Sequence, residues 1–71
     1  MAMYLRYVGR RVEVHYQAGQ TCLPASGTLV ADSGRSIFLE EHFTKMSGVK
    51  RFRWEIPYAC IVGLYEDEPA L

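Results

Sequence analysis

The sequence predicts an all-β fold: a short N-terminal helix followed by five strands in a strongly bent small barrel. Three observations carry this. From Arg11 onward apolar residues recur at every second position, the period of a half-buried strand. Turns carrying Gly19, Gly34 and Gly48 interrupt that alternation at short intervals. The strands are short, with few residues between them, as in closed or nearly closed small barrels.

Each element has its own signal. Met1 to Tyr7 is expected to form one or two helical turns, with Met3, Tyr4 and Tyr7 at helical spacing and Gly9 ending it. Arg11 to Gln17 is the first strand, with Val12, Val14 and Tyr16 on one face, and Ala18-Gly19-Gln20 turns the chain. Thr21 to Ser26 contains Pro24, which cannot donate to a ladder, so this piece reads as an edge, a bulge or a loop. Thr28 to Asp32 places Leu29 and Ala31 on one face and Thr28 and Val30 on the other. Asp32-Ser33-Gly34 is a compact turn capped by side-chain oxygens. Ser36 to Glu41 follows, with Ile37 and Leu39 inward and Phe38, Glu40 and His42 outward, then a polar connection from Thr44 to Gly48. Val49 to Ile56 alternates most clearly: Phe52, Trp54 and Ile56 inward, Arg51, Arg53 and Glu55 outward. Pro57 to Ala59 is a tight turn, Cys60 to Tyr65 the last strand. The domain therefore covers residues 1–65, and 66–71 form an acidic, frayed tail.

Seventy-one residues allow one core. A chain of this size buries only about 60% of its unfolded surface, which leaves a lone copy marginally stable. Nine aromatics and two cysteines, Cys22 and Cys60, point to partner subunits rather than disulfides as the remedy. The formal net charge is zero, without the basic excess of a free-standing nucleic-acid binder, although Lys45 to Arg53 is locally basic. No apolar run is long enough for a membrane helix and no secretory signal pattern opens the chain. With cysteines that need not pair, the expected compartment is a reducing cytoplasm.

Gly9, Val12, Val14, Gly19, the run Gly27-Thr28-Leu29, Asp32 and Leu39 stand in the order of one motif. Phe52 to Ile56, the Pro57 turn, Ile61 and Leu64 stand in the order of a second. Together, across Tyr4 to Tyr65, they resemble the Sm and LSm family, which includes the Hfq ring. The resemblance implies a helix before five bent strands and a ring in which the fourth strand of one subunit pairs with the fifth of the next. It also implies an RNA partner. The family's base pocket is not matched: Gly34 and Ser36 stand where an aromatic or His and then an Asn are usual, and Pro57-Tyr58 replaces an Arg-Gly. The Hfq-type Tyr-Lys-His element is absent, and the interval from Gly19 to Gly27 is long and contains Pro24. Ser36 and Tyr58 are left as the pocket positions able to offer a hydroxyl or a stacking face.

The candidate nucleic-acid contacts are accordingly Ser36, Lys50, Arg51, Arg53 and Tyr58. Guanidinium groups suit phosphate oxygens, although a strand face balanced by Glu13, Glu40 or Glu55 explains the same arginines. The candidate subunit contacts are Val30, Phe38, Cys60, Ile61, Val62, Leu64 and Tyr65. The last strand from Cys60 to Tyr65 carries no charge or proline to blunt its edge, and outward Val30 and Phe38 would stand beside it. His15, His42 and the cysteines lack zinc-site spacing. Ser33, Ser36 and His42 form no catalytic arrangement, and Glu40 and Glu41 point to opposite faces. The expectation is a cyclic homo-oligomer that binds RNA through basic surface with little sequence preference. It is not an enzyme and has no cofactor, metal, membrane or small-molecule substrate. The alternative is a structural or protein-interaction ring without nucleic acid.

Overall fold

The computed structural model describes residues 2–67. Its strands are β1 (Arg11–Ala18), β2 (Thr21–Asp32), β3 (Ser36–Lys45), β4 (Gly48–Pro57) and β5 (Ile61–Glu66). They form one antiparallel sheet in the order β4-β3-β2-β1-β5. The core is six side chains, Val12, Val14, Leu29, Ile37, Leu39 and Ile56, each at most 3% exposed. All six lie on the faces that the period-two pattern assigns inward. Tyr4, Tyr7, Tyr16, Trp54, Tyr58, Ile61 and Leu64 pack around them.

The sheet is sharply bent because β2 serves two partners in succession. It pairs with β1 from Thr21 to Thr28 and with β3 from Thr28 to Asp32. Gly27 stands at the handover and is buried; a Cβ there would lie 2.9 Å from the Glu40 carbonyl oxygen. Only a glycine lets the β3 backbone come this close. Pro24 lies opposite His15, where β2 has β1 on one side and no strand on the other. The edge reading of this stretch therefore holds, and the segment is strand rather than loop. Gly19, at φ +63°, begins the two-residue β1–β2 turn, as the first position of a type II′ turn requires.

Several expectations are corrected. The N-terminal helix reduces to a single 3₁₀ turn over Leu5–Tyr7. So short a segment gains too few hydrogen bonds to propagate as a helix. Its backbone donors are taken elsewhere: the Met3 N–H by Tyr58 and the Tyr4 N–H by Asp32.

The barrel is not closed. β4 and β5 lie at opposite edges of the sheet, β5 being held by β1 through Val12 to Tyr16. The Tyr58–Cys60 3₁₀ turn between β4 and β5 carries the chain away from β4 rather than back along it, so no ladder joins the two.

Ala31 faces out, not in. β2 bulges at Val30, so Leu29 opposes Leu39 but Ala31 opposes Phe38, and the inward position passes to Asp32 opposite Ile37. Phe52 is 51% exposed rather than core, because β3 and β4 outrun the rest of the sheet. Their ladder spans ten pairs, from Ser36–Pro57 to Lys45–Gly48, whereas β2 accompanies β3 only as far as Glu40. Residues 41–52 thus project as a two-stranded ribbon with only Met46 and Ser47 at its tip. The radius of gyration, 12.7 Å, exceeds the roughly 11 Å of a compact chain of this length, as a projecting ribbon requires. At the other end, Cys60 belongs to the 3₁₀ turn and β5 runs on through Glu66. Asp67 still donates its N–H to the Arg11 carbonyl, so ordered structure extends two residues into the expected tail; residues 68–71 lie outside the described residues.

Candidate nucleic-acid interface and sheet edges

Ser36 and Tyr58 are brought together, as pocket partners would need to be: Ser36 opposes Pro57, and the Tyr58 N–H donates to the Arg35 carbonyl at 2.8 Å. Ser36 is nonetheless buried at a turn, and the Tyr58 hydroxyl is taken up by internal bonds. Ser36 is 5% exposed. Its N–H donates to the Ser33 hydroxyl at 3.1 Å and its carbonyl accepts from the Ser33 N–H at 3.0 Å, closing the β2–β3 turn. The Tyr58 hydroxyl donates to Asp32 Oδ1 at 2.5 Å and accepts from the Met3 N–H at 2.8 Å. Asp32 also accepts from the N–H groups of Gly34 and Tyr4, each at 2.8 Å. The Tyr4 and Tyr58 rings meet edge to face at 5.5 Å.

The electrostatics follow from those bonds. Burial works against the Asp32 carboxylate, but the donors from Tyr58, Gly34 and Tyr4 outweigh it and hold its pKa below the ordinary value. Burial, with the bond to that carboxylate, pushes the Tyr58 hydroxyl up. Asp32 and Tyr58 form a clip joining the N-terminal segment, the β2–β3 turn and the start of the 3₁₀ turn after β4. A hydroxyl committed in this way is not an available ligand donor.

The basic candidates separate. Arg53 opposes Glu40 and binds it through Nε at 3.2 Å and a terminal nitrogen at 2.8 Å; His42 bonds the other Glu40 oxygen at 2.8 Å. The bonds from His42 and then Arg53 hold Glu40 below its ordinary pKa. Arg53 is therefore neutralised in place, by one of the glutamates the sequence offered. Arg51 opposes His42 on the outer face, whereas Lys50 opposes Phe43 on the inner face. Both are exposed, and neither has an acidic partner among the described residues. Two arginines where β1 begins are also paired, Arg10 with Glu66 and Arg11 with Glu41, each at 3.0 Å.

The candidate subunit contacts separate as well. Val62 and Tyr65 point outward from edge strand β5, 63% and 56% exposed. Val62 is the extra residue of a bulge between the His15–Gly63 and Tyr16–Ile61 pairs. The Tyr65 ring lies over Gly63 and meets His15 edge to face at 5.3 Å. Cys60, Ile61 and Leu64 instead pack against the core. Val30 and Phe38 are half-buried on β2 and β3, in the body of the sheet and separated from β5 by β1.

One grouping is not anticipated by the sequence reading. Phe43, which period-two spacing places with Ile37 and Leu39, joins Phe52 edge to face at 5.4 Å on the ribbon. The pair lies outside the core. The signal for it is the continuation of that alternation past Glu41, where no further strand of the chain remains to cover it. No family model, curated protein or solved structure gives a match to this chain.

Proposed function

We propose that this chain is an Sm-like subunit that assembles head to tail into a ring, and that the ring binds RNA through basic surface with little sequence preference. The observation that carries the assembly is the pair of open edges. β4 ends the sheet on one side and β5 on the other, and each exposes a row of backbone donors and acceptors. Edge-to-edge pairing of β4 with β5 of the next copy would satisfy both at once. Because the two surfaces differ, the contact is heterologous, and such a contact makes a ring where its rotation closes. Val62 and Tyr65, exposed on β5, support it.

RNA binding rests on Lys50 and Arg51, the two predicted cations without an acidic partner among the described residues. The alternative, a structural ring without nucleic acid, is favoured by the burial of Ser36 and the internal bonds of Tyr58 and Arg53. Light scattering at micromolar concentration tests the assembly: a closed oligomer is expected, and a monomer defeats both readings. Anisotropy with labelled oligo(U) at low salt separates them: affinity that falls steeply with added salt favours RNA, and no binding leaves the structural ring.

A further inference from the structure

The ribbon formed by β3 and β4 has two faces of different character. Residues opposed in the ladder share a face. One face therefore carries, from the core outward, Leu39 with Trp54, Glu41 with Phe52, Phe43 with Lys50, and Lys45 with Gly48. Leu39 is buried and Trp54 half-buried; Phe52 and Phe43 are 51% and 45% exposed. Three aromatic rings thus follow one another along a single face, with Lys50 level with Phe43 and Lys45 beyond it. Glu41, the acidic residue on this face, is held by Arg11 through two bonds of 3.0 and 3.1 Å. From His42 to Trp54 the sequence has no carboxylate but contains Lys45, Lys50, Arg51 and Arg53.

An aromatic row bordered by cations without acidic partners among the described residues is complementary to a polyanion whose planar groups can stack. The Phe43 and Phe52 ring centres, on neighbouring strands, are 5.4 Å apart, wider than the roughly 3.4 Å rise per base in a stacked strand. The row therefore suits single-stranded nucleic acid with splayed bases better than a duplex. An anionic membrane fits less well, because Lys45 lies beyond the rings and Lys50 beside Phe43, so burying the rings would carry charged lysines into the apolar layer.

We propose that this face of the ribbon is a stacking platform for single-stranded nucleic acid, with Phe43 and Phe52 receiving bases and Lys45 and Lys50 their phosphates. The proposal rests on the RNA-binding reading and deepens it by adding Phe43, Phe52 and Lys45, on the same ribbon, to the Lys50 contact. It is compatible with ring assembly, because edge pairing uses the backbone of β4 while stacking uses side chains on its face.

The test is fluorescence anisotropy of the full chain with a labelled oligo(U) 20-mer across a salt series. Phe43→Ala and Phe52→Ala are each expected to weaken binding roughly tenfold with an unchanged salt slope. Lys45→Gln combined with Lys50→Gln should lower the slope by about 1.4, the loss of two single-strand phosphate contacts. Both rings lie outside the core, so circular dichroism should show folded variants, and Phe52→Trp should retain binding. Wild-type affinity carried over to the Phe43→Ala/Phe52→Ala double variant overturns the platform and leaves RNA binding elsewhere on the ring. Absence of wild-type binding overturns both; phosphatidylserine vesicles binding in its place would identify a membrane surface instead.

Discussion

Asp32 shows how much a single residue can depend on its surroundings. Its place in a turn with Ser33 and Gly34 is readable locally, since Asp oxygens cap such turns. Its main side-chain partner is not: Tyr58 lies 26 positions away. The contact exists because the Val30 bulge shifts the face parity of β2 and turns Asp32 inward. The folded pKa of Asp32 is depressed below the ordinary 3.8. The unfolded chain therefore binds the proton first as pH falls. Its stabilising contribution is complete above pH 3.8 and is lost as pH drops through the lower folded value. Asp32→Asn should accordingly flatten part of the acid limb in a series of urea melts between pH 2 and 5. Glu40 and Glu41, also held below their ordinary values, will maintain the remainder.

At the level of elements, two glycines make opposite predictions. At Gly27 an added Cβ meets the Glu40 backbone carbonyl at 2.9 Å, and neither strand can move without disturbing its ladder. Gly27→Ala should cost about 1–3 kcal/mol, the usual range for overpacking, read as a lower urea midpoint. At Gly63 the nearest atom is the Tyr65 hydroxyl, the far end of an exposed side chain that can swing away. Gly63→Ala should cost well under what Gly27→Ala does, while displacing the ring from the β5 edge. A third change probes the core: Leu29→Ala should cost about 2–5 kcal/mol, enough to unfold an isolated copy of so small a domain.

The whole molecule is a bent sheet with a six-residue core, two open edges and a projecting ribbon. Under the proposed ring assembly such a domain would gain stability from partners by mass action, so its melting temperature should rise with protein concentration. Charges on the β5 edge should remove that dependence. Val62→Lys with Tyr65→Lys is expected to scatter light as a folded monomer, since both side chains are exposed and outside the core. An unchanged oligomer would place the contact elsewhere.

Alternation of period two was enough to place all six core residues on inward faces, because burial on one face of a pleated strand is a local property; it did not reach the first half of β2 or the end of β3. Gly19 likewise announced its turn, since the required positive φ belongs to one residue. Among the features that escaped such reading are the bulge at Val30, the commitment of Tyr58 to Asp32, the gap left between β4 and β5, and the exposure of Phe52. Each depends on where a different strand begins, ends or slips. Phe52 and Trp54 have the same local pattern, yet Trp54 packs against the core and Phe52 does not, because the sheet that shields one stops short of the other. Strand identity is carried by spacing along the chain, whereas availability to a ligand is set by which neighbours arrive from distant positions, and only the folded arrangement contains that information.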